Sequence, residues 1–117
     1  MKIAFPTTDD KGLDSKVSEV FARAETFTII DIEENTKKIK NVIVIDNEAK
    51  KFPHGAGPIA VKILLDNGVN AVATYDIGFG SKELLKSSNI KIVRIKAVKY
   101  VYEVLDKVIS EVGSSIS

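Results

Sequence analysis

Apolar and polar residues alternate at two different periods along this chain, and each change of period marks an element. Ile3-Ala4-Phe5 is a short apolar run that reads as a strand ended by Pro6. Thr7-Thr8-Asp9-Asp10-Lys11-Gly12 follows as a polar loop of turn residues. Within residues 15–24, Val17, Val20 and Phe21 suit one helical turn with all three on one side. Residues 26–32 and 39–46 are rich in β-branched and aromatic side chains, and polar Glu33-Glu34-Asn35-Thr36-Lys37 separates them, so they predict a hairpin. Residues 47–56 form a connection with no pattern of their own, a length that is often functional.

Gly57-Pro58 then opens a helix carrying Ile59, Ala60, Val61, Ile63, Leu64 and Leu65, with Gly68 at its C-terminal cap. Residues 69–75 are almost continuously apolar, as a strand covered on both faces should be. Asp76-Ile77-Gly78-Phe79-Gly80 is a second glycine loop, and Ser81 suits the N-cap of a short helix through Lys86. Residues 90–95 predict the last strand. Residues 98–112 predict the final helix, with Val101, Leu105, Val108 and Val112 at helical spacing and a tail over 113–117 expected to fray.

The order βββαβαβα places an antiparallel meander first, and right-handed crossovers then add two parallel strands. The expected architecture is α/β, a single domain over 1–117 with a five-stranded mixed sheet of order 3-2-1-4-5 and helices on both faces. Loops 6–12, 47–58 and 75–80 then meet at one sheet edge, where open α/β sheets bind ligands. His54-Gly55-Ala56-Gly57 and Ile77-Gly78-Phe79-Gly80 should face one pocket, with Thr7, Thr8 and Asp9 near its floor.

Composition narrows the chemistry. Seventeen basic and sixteen acidic residues leave a net charge of +1, so no global field points to nucleic acid or an anionic membrane. The absence of cysteine excludes disulfides, thiol nucleophiles, zinc ribbons and cysteine-ligated iron–sulfur clusters. No apolar run reaches the ~20 residues of a membrane span, and the first residues read as a strand rather than a signal peptide, so a cytoplasmic location is expected.

The chemistry concentrates at Phe52-Pro53-His54-Gly55-Ala56-Gly57-Pro58, which holds the only histidine. Glycines permit positive φ and close approach of a ligand, free N–H groups and the dipole at a helix start favour an anion, and a neutral imidazole can ligate a metal. Ordinary turn chemistry before a helix is the plainer alternative. A metal-dependent nuclease on a similar strand plan needs several carboxylates converging on paired ions; here Asp9, Asp10, Asp31 and Asp76 find no facing partners on the helices. No nucleophile elbow, phosphate loop or dinucleotide fingerprint is present. What remains is a non-catalytic pocket for an anionic or metal-containing ligand.

Lys2-Ile3-Ala4-Phe5-Pro6-Thr7, Leu13-Asp14-Ser15, Phe21-Ala22-Arg23-Ala24, His54-Gly55-Ala56-Gly57-Pro58, Asn67-Gly68-Val69 and Ile77-Gly78 together resemble the dinitrogenase iron–molybdenum cofactor biosynthesis family, the NifX/NafY type of domain. The resemblance runs from Met1 to about Val112. It implies a three-layer α/β/α domain of RNase H-like topology. It also implies a small non-enzymatic protein that binds, stores or carries an anionic metal–sulfur cluster, either molybdenum–iron–sulfur or molybdenum–copper–sulfur. His54 maps onto the family loop as the metal contact, Gly55, Ala56 and Gly57 as backbone donors, Arg23 as counter-charge, and Gly78, Phe79 and Gly80 as the opposite wall. The family commonly reads Ser-Pro-His-Phe-Gly-Arg-Ala where this chain has Ser18-Glu19-Val20-Phe21-Ala22-Arg23-Ala24, which replaces a histidine by Val20 and a glycine by Ala22. Implied partners are metallocluster donor or acceptor proteins, with a monomer or weak homodimer expected. A metal-free protein-interaction or regulatory module on the same fold is the alternative.

Overall fold

The computed structural model describes residues 1–114. Its sheet contains β1 (Lys2–Thr7), β2 (Thr26–Ile32), β3 (Ile39–Asp46), β4 (Ala71–Thr74) and β5 (Lys91–Arg94). The order is β3-β2-β1-β4-β5, as the pattern predicts. β1, β2 and β3 pair antiparallel, while β4 and β5 run parallel to β1. The C-terminal ends of β1, β3, β4 and β5 therefore lie at one edge of the sheet.

Period-two side-chain alternation divides the core in two. Ile3, Phe5, Ile30 and Ile32 face α3 (Val101–Ser114), packing with Val101, Leu105, Val108 and Val112. Ala4, Phe27 and Ile29 face α1 (Ala56–Asp66) and α2 (Phe79–Ser87), packing with Ala60, Val61, Leu64 and Leu85. Each fully buried Ile, Leu or Phe contributes about 1.5–3 kcal/mol of transfer free energy, so both faces need their helical cover.

Several boundaries differ from the pattern. Pro6 does not end β1, which continues to Thr7. Parallel pairing with β4 covers only Ile3 and Ala4, and the Pro6 carbonyl accepts from Ser18 N at 2.7 Å, so the missing N–H forfeits no ladder bond. Residues 15–24 contain no helical turn. The segment bridges Thr7 to Val17 and Lys16 to Tyr100, and it carries Val17 into one core and Phe21 into the other. A helix would set positions four apart on one side; here the chain crosses the end of the sheet between its faces, and Val20 is left 48% exposed.

The last helix begins at Val101 rather than 98, because the Lys99 carbonyl is taken by Val17 N at 2.9 Å and Val101 N donates to Ser15 O at 2.9 Å. Gly113 and Ser114 close α3 instead of fraying, and the rest of the expected tail lies outside the described residues. Gly68 follows the α1 C-cap Asn67 with φ +70°, and Gly68 N and Val69 N donate back to Leu65 O and Leu64 O. That is the left-handed closure expected of a glycine at this position.

Candidate functional site

The connection between β3 and α1 is ordered by two side chains from outside any regular element. Asn47 is fully buried; its amide donates to Ala22 O and Ala24 O at 2.9 Å, and its oxygen accepts from Ala49 N at 3.1 Å. The Arg23 guanidinium donates to Phe52 O at 2.7 Å, Pro53 O at 3.1 Å and Lys50 O at 3.4 Å. Residues 22–24 and 47–53 are thus sewn together, and Phe21 anchors them through a tilted ring contact with Phe27 at 5.6 Å.

His54 follows, exposed to solvent. Gly55 is the α1 N-cap with φ +76° and ψ 21°, a left-handed conformation that costs an L side chain about 1–2 kcal/mol. The N–H groups of Ala56 and Gly57 have no acceptor within the helix, and Pro58 has no N–H to spare. The helix start therefore presents two backbone donors beside one imidazole.

The opposite wall comes from the β4–α2 loop. Thr74 Oγ1 donates to Asp76 O at 3.0 Å and Ile77 N donates to Asp76 Oδ1 at 2.9 Å, so the loop closes on its own aspartate. Arg94 donates to Tyr75 O at 3.2 and 3.0 Å from the neighbouring strand. The two helices behind the walls meet at Gly57, where a Cβ would lie 2.7 Å from Ser81 Oγ. Between the walls is an open cleft of about 230 Å³ lined by Val20, Phe21, Ala22, Arg23, Asp76, Ile77, Gly78 and Ser81.

The structure brings some of the expected residues together and separates others. Arg23 and Gly78 line the cleft, and Gly57 abuts it through Ser81. His54, Gly55 and Ala56 sit on the loop that Arg23 holds but outside the lining itself. Phe79 is 78% exposed and lies outside the lining, and Gly80 is exposed in the first turn of α2. Thr7 is sealed within the sheet, its hydroxyl bonded to Thr26 Oγ1 at 2.6 Å and Thr28 Oγ1 at 3.0 Å. Thr8 lines a different hollow of about 410 Å³, with Asp9, Asp10, Glu25, Asp46 and Lys50 among its neighbours. There the Lys50 ammonium holds the Asp46 carboxyl below its ordinary range, and Asp46 in turn raises Lys50.

Pattern reading missed Asn47, the role of Ser81 and the clamp made by Arg23. Asn47 at the start of a patternless connection was the one available signal. Ser81 is not the cap of α2: Gly78 occupies that position without a side-chain bond, and Ser81 lies buried inside the helix beneath Gly57.

Among the described residues, no group of three or more His, Asp or Glu side chains is placed to hold a bare metal ion. The donor set fits a preassembled anionic cluster better: two helix-start N–H groups, one imidazole, and a guanidinium with N–H groups beyond those committed to carbonyls. Among the described residues, no helix is long and apolar enough to cross a membrane.

The family model for the dinitrogenase iron–molybdenum cofactor matches residues 1–111. The chain belongs to this family. Membership ties it to metallocluster handling related to the iron–molybdenum cofactor. It is 32% identical over 94 residues to an uncharacterized protein of Methanocaldococcus jannaschii, covering 80% of this chain and 74% of that one. An NMR structure of a Thermotoga protein provisionally named NifB is 34% identical, with a TM-score of 0.74 over 94% of this chain and 87% of that one. The apo form of the orange protein from Desulfovibrio gigas superposes with a TM-score of 0.78 over 94% of this chain and 88% of that one; at 23% identity it shows the shared fold alone.

Proposed function

We propose that this family member is a non-enzymatic carrier or storage domain for an anionic metal–sulfur cluster, molybdenum–iron–sulfur or molybdenum–copper–sulfur, passed between cytoplasmic donor and acceptor proteins. The observation that carries the reading is the start of α1. Gly55 in its left-handed conformation turns the free N–H groups of Ala56 and Gly57 outward beside exposed His54, on a loop clamped by a cation. Sulfide and thiomolybdate faces are rich in negative charge and accept N–H hydrogen bonds without a thiolate ligand. In this reading His54 makes the direct metal contact, Gly55, Ala56 and Gly57 donate to the cluster periphery, and Arg23 balances its charge. Gly78, Phe79 and Gly80 form the far wall, and Thr7 and Thr8 support the adjoining loop.

The test is anaerobic incubation with tetrathiomolybdate, with and without copper or iron, followed by desalting, metal analysis and visible absorption. Stoichiometric metal with charge-transfer bands is the expected result for the natural sequence, with a marked loss in His54→Ala. Retention unchanged in His54→Ala would overturn the role of that residue. Colourless, metal-free protein throughout would instead favour a protein-interaction module. One observation supports that second reading: Val20, Phe52, Tyr75 and Phe79 are 48%, 46%, 38% and 78% exposed on the loops at this sheet edge. A rim of exposed apolar side chains suits docking of another protein.

A further inference from the structure

The sheet has two open edges, and they are protected very differently. β5 is four residues long, begins with Lys91 and ends with Arg94. Short, charged strands of this kind resist pairing with another chain. β3 is eight residues long, pairs only with β2, and has the sequence Ile-Lys-Asn-Val-Ile-Val-Ile-Asp. Its uncharged run from Asn41 to Ile45 is mostly β-branched, and Ile39 and Ile43 are 42% and 38% exposed. Among the described residues, the backbone hydrogen bonds of β3 are those of its ladder with β2.

We infer that β3 is a self-association edge, through which two copies of this chain pair antiparallel to form a continuous ten-stranded sheet. The occupant follows from the strand's own charge pattern. Successive residues of a strand direct their N–H and C=O groups to opposite edges, so an antiparallel two-fold pairing must match residues of like parity. Placing Ile43 opposite Ile43 of the second copy sets Val42 against Val44 and Lys40 against Asp46, each twice by symmetry. The apolar positions thus meet β-branched partners and both charges meet opposite charges, which is the arrangement that stabilises cross-strand neighbours. Asp46 already holds Lys50 at 2.7 Å within its own chain, and a carboxylate has oxygen sites left for a second cation.

Two copies paired in this way point their β3 strands in opposite directions. The clefts beside His54 then lie at opposite ends of the assembly, both open. This inference does not rest on the cluster-carrier reading, and its test reads mass rather than metal.

The experiment is sedimentation equilibrium of the full chain over a wide concentration range, with circular dichroism to verify folding of each variant. The natural sequence is expected to show a reversible monomer–dimer equilibrium. Ile43→Lys sets two like charges on the two-fold axis and should abolish it. Lys40→Glu and Asp46→Lys should each weaken self-association about tenfold, by creating two like-charge pairs. An equimolar mixture of Lys40→Glu and Asp46→Lys restores both opposite-charge pairs and should dimerise as well as the natural sequence. A natural chain that stays monomeric at every concentration would overturn the inference. So would a dimer indifferent to Ile43→Lys, or a mixture no stronger than its separate components.

Discussion

Arg23 offers a direct test of whether the His54 loop is held by geometry or merely supplied with charge. Its guanidinium reaches two carbonyls at good distance, Phe52 at 2.7 Å and Pro53 at 3.1 Å, and a third at 3.4 Å that contributes least. A charged donor contributes about 1.5–3 kcal/mol per bond when buried. Arg23 is exposed, so solvent competition reduces each bond to below about 1 kcal/mol. Arg23→Ala should therefore lower the unfolding free energy by only about 1 kcal/mol, with most of the effect confined to the loop. Amide exchange is the sensitive assay: Lys50 N and Phe52 N, bonded to Asn47 O at 3.3 Å and Ala49 O at 3.2 Å, should exchange faster, while the β1 and β2 amides stay protected. Arg23→Lys separates the two roles, because it keeps the charge but loses the planar fork that spans adjacent carbonyls. If the clamp matters, Arg23→Lys exchanges like Arg23→Ala and retains thiomolybdate equally poorly. Full recovery of both properties in Arg23→Lys would refute the clamp and leave a simple charge effect, and unaltered loop exchange in Arg23→Ala would refute any positioning role.

Three further outcomes are expected. Gly57→Ala brings a methyl within 2.7 Å of Ser81 Oγ, an overpacking cost of about 1–3 kcal/mol set against roughly 1 kcal/mol of helix propensity; in a Ser81→Ala background, where the nearest atom is 3.9 Å away, the same change should stabilise, and equal urea-unfolding shifts in both backgrounds would disprove the contact. Gly55→Ala should destabilise by about 1–2 kcal/mol through backbone strain alone, since open space surrounds its Cβ, and Gly55→Asn should cost less; equal losses would mean that strain is not the cause. The Asp9 carboxyl is held below its ordinary range chiefly by the Ser15 hydroxyl and then by the Lys11 N–H. A carboxyl whose folded pKa is depressed adds stability above its unfolded value and loses it as pH falls through the folded one. Ser15→Ala should accordingly raise the Asp9 titration midpoint seen by NMR and flatten the acid limb of the stability curve, and an unmoved midpoint would rule out the hydroxyl as the cause.

Local patterning reached far into this fold because most elements have a signal within their own residues. β2 and β3 occupy the expected 26–32 and 39–46, since β-branched runs bounded by a polar turn have one good solution. Sheet order followed from chain order and crossover handedness, with no tertiary contact needed. Pro58 and Gly68 likewise marked the ends of α1 to within two residues. The segment over 15–24 was not legible in this way. Val17 and Phe21 carry a helical spacing, yet they belong to different faces of the sheet, and only packing against Lys99, Tyr100 and Phe27 assigns them there.

The same division runs through the candidate site. Residue types and helix-start chemistry singled out His54, Gly55 and Gly57, because positive φ and unpaired N–H groups are properties of the local chain. Assembly around the carbonyls of residues 50–53 is a matter of distance across the fold. Arg23 lies twenty-nine positions before Phe52 and Asn47 lies twenty-five after Ala22, and nothing in either neighbourhood announces the partner. Thr7 shows the reverse case: its place at the end of β1 suggested a pocket floor, but cross-strand hydroxyls of Thr26 and Thr28 turn it inward. Backbone preferences are written in a few consecutive residues, whereas the direction a polar side chain takes depends on which acceptors folding brings within about 3 Å of it.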